Sequence, residues 1–189
     1  MVHEAERIAD EVGLSHLTLA ALAESLGVRQ PSLYKHVDGM DGLQRSIAVR
    51  AKTELADILA RAAVGRSRGD AIVSMSAAYR HWALEHPGRY AATQRASAAG
   101  DSESEGADRA VVEIVADVLA GYDLRGDDAI DAIRALRAAL HGFVTLEMSG
   151  GFGLPVDVDR SFDRLVRGIV TAFSGWTEEP RANGVPSGP

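Results

Sequence analysis

The chain contains no cysteine. Disulfide bridges and thiolate-bound metals or clusters are therefore excluded. Aromatic residues make up only 5%, so any core must be built largely from alanine and aliphatic side chains, which favour helix. Proline is sparse, with 6 in 189 residues, which leaves long stretches open to unbroken helix. No apolar run approaches the ~20 residues of a membrane-spanning helix. The opening MVHEAERIADEVG is acidic and periodic rather than a secretory leader. These absences point to the cytoplasm. Positive charge is also short: 20 Lys and Arg stand against 27 Asp and Glu, for a net charge of −7. That balance argues against a wholly basic coat for nucleic acid, yet it leaves room for a local basic patch.

What the chain does have is helical period, punctuated by breakers. Ala5, Ile8, Ala9 and Val12 give a first helix over Glu4–Val12, ended by Gly13. Thr18 is placed to cap a second helix with the stripe Leu19, Leu22, Ala23 and Leu26, stopped by Gly27. A short helix from Gln30 to about His36 carries Pro31 in its first turn, where the missing N–H costs nothing. Longer helices follow over about Met40–Ala63, Asp70–Glu85 with Asp70 as cap, and Arg89–Arg95. The stretch ASAAGDSESEGAD reads as a mobile loop. Helices then run over Arg109–Ala120, from Asp127 or Asp128 to Met148, and over Asp157–Trp176; residues 177–189 read as a disordered tail. Nothing reads as a strand. The fold class is all-α, with three short helices ahead of about six longer ones.

The segment Gly27–Val37, GVRQPSLYKHV, has no acidic residue in an acidic chain. With the helix before it, it has the spacing of a helix-turn-helix, whose second helix enters the major groove. Arg29 and Gln30 stand at the start of that helix, where side chains reach base edges; Arg pairs with guanine and Gln with adenine. Ser32, Tyr34, Lys35 and His36 supply donors for phosphate oxygens. Leu33 and Val37 point inward, against Leu19, Leu22, Leu26 and Val28.

The run from Thr18 to Val37, TLAALAESLGVRQPSLYKHV, resembles the DNA-binding domain of TetR-family bacterial transcriptional regulators, over roughly Ala5–Ile47. LHGFVTLEMSGGFGLP, residues 140–155, resembles the ligand-binding domain of one TetR subgroup. The resemblance implies an N-terminal reader over residues 1–47 and a ligand-binding and dimerisation domain over 48–176. It implies a homodimer whose last two long helices form a four-helix bundle. It also implies a palindromic double-stranded DNA operator and a small-molecule effector that releases it. Thr18 would lie near a phosphate. The helix over Met40–Ala63 would be the lever between the two functions.

The chain departs from the family pattern in its charges. Met40 stands where members often have lysine, with Asp38 and Asp41 beside it, and Glu4 and Glu6 stand where many members carry a basic arm. Whether such an arm precedes this sequence stays open. Residues 1–50 hold five cations (Arg7, Arg29, Lys35, Arg45, Arg50) and seven carboxylates (Glu4, Glu6, Asp10, Glu11, Glu24, Asp38, Asp41), a balance of −2. Few neutralised phosphates mean a shallow salt dependence. An open alternative is a helical ligand-binding or interaction protein that has lost strong DNA affinity.

In the larger half, Tyr79, Trp82, Tyr90, Phe143 and Met148 are candidates to line an effector pocket, with Arg80, Arg89 and Glu147 nearby to orient a ligand. Ile133, Leu140, Phe143, Val144, Phe162, Leu165, Val166, Ile169 and Phe173 are candidates for the dimer face, since one protomer hides only one side of two wide apolar stripes. No metal site is expected: His81 and His86 do not share a helix face, and His141 with Glu147 lacks a third ligand. No nucleophile–base set is visible, and no cofactor is implied. GGFG, residues 150–153, follows a helix and is no phosphate loop. Asp10 and Glu24 read as solvated.

Overall fold

The computed structural model describes residues 1–176. The tail expected at 177–189 lies outside them. Among the described residues the chain is all-α, with nine α-helices and two 3₁₀ turns. The elements are α1 (Val2–Val12), a 3₁₀ turn Leu14–His16, α2 (Leu19–Ser25), α3 (Gln30–Leu33), α4 (Gly39–Ala63), α5 (Arg68–Glu85), α6 (Pro87–Thr93), α7 (Ser102–Leu119), a 3₁₀ turn Ala120–Tyr122, α8 (Gly126–Met148) and α9 (Val158–Gly175). No described helix is long and apolar enough to cross a membrane.

Two apolar cores form, and they meet on α4. The first gathers Ala5, Ile8, Ala9, Leu19, Leu22, Leu33, Val37, Leu43 and Ile47. The second gathers Leu55, Leu59, Ile72, Met75, Trp82, Tyr90, Leu119, Leu136, Val144, Phe162, Val166 and Phe173. Ala48 belongs to the first core and Ala51, one turn on, to the second. Ala92 of α6 also packs into the first core, so α6 reaches from the body to the N-terminal helices. That reach depends on Gly88. A β-carbon there would lie 2.1 Å from the carbonyl carbon and oxygen of Ala9, so only glycine lets α6 sit on the backbone of α1.

Several boundaries differ from the sequence expectation, each for a local reason. α3 is only four residues long. Its exit tightens into i→i−3 bonds: Lys35 N–H donates to Ser32 O (3.4 Å) and His36 N–H to Leu33 O (2.9 Å). α5 begins at Arg68 with Ser67 at the N-cap, so Asp70 is a first-turn acid favoured by the helix dipole and not the cap. α6 starts at Pro87, two residues before the expected Arg89. The stretch expected as a loop is half helix. Asp101 caps α7 by accepting from Ser104 N–H (3.2 Å) and Ser104 Oγ–H (2.7 Å), and Glu103 and Glu105 complement the first turn.

Candidate nucleic-acid interface

The reader is assembled from α2, α3 and the turn between them. Thr18 caps α2, its Oγ1 accepting from Ala21 N–H at 3.1 Å. The α2–α3 turn is made at Gly27, whose φ of 66° suits glycine. From there Leu33 and Val37 dip into the first core. Val28, expected beside them, is 45% exposed instead. It lies in the bend between Gly27 and α3, its N–H donating back to Ala23 O at 3.0 Å.

Arg29, Gln30, Lys35 and His36 are exposed, and Tyr34 is 57% exposed. The structure thus leaves each of these side chains at the surface. Ser32 differs from the rest. It is half-buried, and its hydroxyl donates to Arg29 O at 2.7 Å, closing the first turn of α3 from within.

Electrostatics separate this surface from the rest of the reader. Arg7 is held by Glu4 (2.5 Å) and Glu11 (2.6 Å), Arg45 by Asp101 and Glu103, and Arg50 by Glu6 at 2.8 Å. Among the described residues, Arg29 and Lys35 are the Lys and Arg side chains of positions 1–50 with no carboxylate within 4.0 Å. Glu4 is stabilised as the anion, its pKa lowered to about 2 chiefly by the Arg7 hydrogen bond and then by Ser25. Asp41, expected to repel phosphate, is paired with Arg95 at 2.7 Å. Five of the seven carboxylates that weigh against DNA in a residue count are thus paired with arginines of the protein, while Glu24 and Asp38 stay exposed without an ion pair among the described residues.

The reader is tied to the body by a second ionic cluster that sequence reasoning missed. Arg89 of α6 donates through its backbone N–H and its Nε to Asp10 of α1, both at 2.8 Å. Its Nη1 donates to Glu54 of α4 at 2.7 Å, and Trp82 Nε1 donates to the same carboxylate at 3.2 Å. His86 Nδ1 lies 2.5 Å from Nη2. Asp10 is therefore largely buried and paired, not solvated. Lys52 is buried as well, bound to Arg95 O (2.7 Å) and Asp108 (2.6 Å). Apart from His86, the partners lie 28–79 positions apart, so local pattern carries no sign of them. Two hints existed: Asp10 stands beside the buried stripe of α1, and Arg89 follows His-Pro-Gly.

In the body, Tyr79, Trp82 and Tyr90 come together. Tyr79 OH donates to Tyr90 OH (3.1 Å), and Tyr90 OH meets His141 Nδ1 (2.6 Å). Burial pushes the Tyr79 hydroxyl far above its usual range, with Tyr90 adding to it. Phe143 instead stacks on Phe152 and Phe162, and Met148 is 39% exposed. Arg80 and Glu147 bond each other (2.7 and 2.5 Å), and Arg80 also holds Asp159.

The residues expected at a dimer face also divide. Leu140, Val144, Phe162, Val166 and Phe173 lie inside the protomer's own core. Their bulk answers the packing of α8 and α9 on α5, so within one protomer they are covered from inside. Ile133, Phe143, Leu165 and Ile169 are partly exposed. Among the described residues no group of three metal-ligating side chains occurs.

An all-α chain with a capped helix-turn-helix and an acid-free outer face defines a helix-turn-helix regulator. Comparison with known proteins narrows this. Residues 72–169 match the tetracyclin repressor-like C-terminal domain. The chain is 40% identical to the HTH-type transcriptional regulator Rv0681 of Mycobacterium tuberculosis, covering 88% of this chain and 76% of that one. It is 33% identical to the HTH-type regulator YobS of Bacillus subtilis, covering 92% and 90%. It shares its fold with a TetR variant from Acinetobacter baumannii AYE, solved in complex with minocycline, at TM-score 0.69 and 21% identity over 91% and 93% of the two chains. It shares it likewise with apo ActR of Streptomyces coelicolor, at TM-score 0.70 and 18% identity over 92% of each. The chain belongs to the TetR family and is a TetR-type transcriptional regulator. Its family and relatives are regulators, not enzymes.

Proposed function

We propose that the protein is a dimeric cytoplasmic repressor that is released from a palindromic double-stranded operator by a small molecule. The observation that carries this reading is the pairing pattern: Arg7, Arg45 and Arg50 are neutralised within the protein, while Arg29 and Lys35, on the outer side of α3, are not. Arg29 and Gln30 would read base edges, while Thr18, Tyr34, Lys35 and His36 would hold phosphates. Residues 1–47 would be the reading unit and 48–176 the effector and dimer unit.

The dimer face would be the flank of α8 and α9 made of small residues. Ala138, Gly142 and Thr145 on α8, and Leu165, Gly168, Ala172 and Gly175 on α9, repeat at helical spacing and are exposed or half-exposed. A β-carbon at Gly142, Gly168 or Gly175 would meet nothing within 4 Å. Each such glycine costs a helix about 1 kcal/mol against alanine, and packing within one chain does not call for it. Close approach of a second copy does. A two-fold dimer would set two α3 stubs about 34–36 Å apart or somewhat more, the repeat of the duplex.

The effector would act near Tyr79, Tyr90 and His141, which α5, α6 and α8 bring together. α6 also carries Arg89, so a shift of α6 would be felt at Asp10 and hence at the reader. Residues 140–155 support placement in the subgroup with this LHGF and SGGF pattern; Phe143 of the first stacks on Phe152 of the second at 4.7 Å between centroids. The test is retention on duplex DNA against salt, followed by a genome-wide map of bound sites. Selective binding to a palindrome supports the reading. No retention at low salt favours a helical ligand-binding or interaction protein instead.

A further inference from the structure

α9 has a third face. Phe162, Val166 and Phe173 point into the body, and Gly168 and Ala172 mark the small-residue flank. Arg160 and Arg167 lie on the remaining side, and Arg164, one turn before Gly168, stands on its border with that flank; all three are exposed. At a rise of 1.5 Å per residue they span about 10 Å. They border a cleft of about 750 Å³ between α9 and α5, whose opposite wall is Ala77, His81 and Leu84. This wall is the side of α5 away from Tyr79 and Trp82. The volume is that of a small-molecule site.

The charges in the cleft are unequally engaged. Arg80, at its base, is bonded to Glu147 and Asp159 and lies 4.9 Å over the Phe162 ring. Asp157 caps α9 by accepting from Asp159 N–H at 2.8 Å. Among the described residues, none of Arg160, Arg164 and Arg167 has a carboxylate within 4.0 Å. They outnumber Asp157 and Asp163, the two carboxylates of the cleft that have no ion pair among the described residues. Facing them, Leu84 is 40% exposed and, with Ala77, supplies apolar surface on either side of His81.

We propose that the α5–α9 cleft binds a phosphorylated amphiphile, its phosphate on Arg160, Arg164 and Arg167 and its apolar part along Ala77 and Leu84. One carboxylate is satisfied by a single guanidinium fork, whereas three guanidiniums along one line suit the several oxygens of a phosphate or diphosphate. The site stands apart from the effector reading, since it shares no residue with Tyr79, Tyr90 or His141.

The experiment is calorimetric titration of the full chain at low salt with three probes. They are inorganic pyrophosphate, dodecyl phosphate below its micellar concentration, and dodecyltrimethylammonium. Dodecyl phosphate is expected to bind tightest, pyrophosphate more weakly, and the ammonium not at all. The triple variant Arg160→Gln, Arg164→Gln, Arg167→Gln should lose about tenfold or more for both anions. Leu84→Ser should weaken dodecyl phosphate alone. These are exposed positions, so helicity by circular dichroism should be unchanged. Equal binding of the ammonium, or an unaltered triple variant, overturns the proposal. So does binding of an acidic Glu/Leu-rich peptide without binding of dodecyl phosphate, which would make the partner a protein.

Discussion

The two ends of the reader treat charge in opposite ways. At the end that meets the body, nearly every ion is matched: Asp10 with Arg89, Asp41 with Arg95, Arg45 with Asp101, Arg50 with Glu6. At the outer end, Arg29 and Lys35 stand unmatched beside exposed Tyr34 and His36. A net balance of −2 over the first 50 residues averages these two populations and describes neither. What decides affinity for a polyanion is which charges are left over where the duplex would lie, not their sum. The α1–α6 seat therefore does two things at once. It anchors α1, and it neutralises Asp10 inside the protein.

The contrast can be attacked at the inner end first, where the largest effects are expected. Gly88→Val would drive a side chain into the Ala9 carbonyl, 2.1 Å from its β-carbon, and should cost about 3 kcal/mol or more. An unchanged melting temperature would show that α6 does not seat on α1 as described. Arg89→Met keeps the length of the side chain but strands Asp10 and Glu54; a loss of about 2–3 kcal/mol in chemical denaturation is expected. Combined with Asp10→Asn, the penalty should be clearly less than additive, because the pair acts as a unit.

At the outer end the fold should be indifferent and the DNA should not. Arg29→Ala should leave the denaturation midpoint in place and cost about 1–3 kcal/mol at the operator, relaxing preference at one base position. Equal weakening on every sequence would rule out base readout. Lys35→Ala should weaken all duplexes alike and reduce the salt slope by about 1. The smallest effect belongs to Glu4. Its pKa is depressed to about 2 by Arg7 and Ser25, so its contribution is complete above the ordinary carboxylate pKa of about 4.5 and fades as the pH falls towards 2. Glu4→Gln should therefore narrow the gap in stability between pH 7 and pH 3, read by thermal melts at both values.

Much of the helical order was legible because its punctuation is chemical. Gly13, Gly27 and Pro31 mark ends and turns by backbone geometry alone, and Thr18 marks a cap. The start of α7 was misjudged because Ser-Glu-Ser-Glu-Gly is small and polar; the better sign was Asp101 three residues before Ser104, with acids in the first turn. The lack of acids from Gly27 to Val37 was readable in the sequence, and the structure leaves Arg29, Gln30, Tyr34, Lys35 and His36 exposed there. The Asp10–Arg89–Glu54 cluster was not readable, since ion pairs between distant positions leave no local period. The candidate dimer residues were chosen by bulk; five of them face the protomer's own core, whereas the outer flank of α9 carries Gly168, Ala172 and Gly175.

The backbone-to-backbone fit at Gly88 has one more consequence. Helix α6 contributes Ala92 to one core and Tyr90 to the other, so neither half can melt while leaving α6 intact. Calorimetry on the whole chain should record one endotherm rather than two, and a reader fragment cut off within α4 should lack a heat-induced transition of its own.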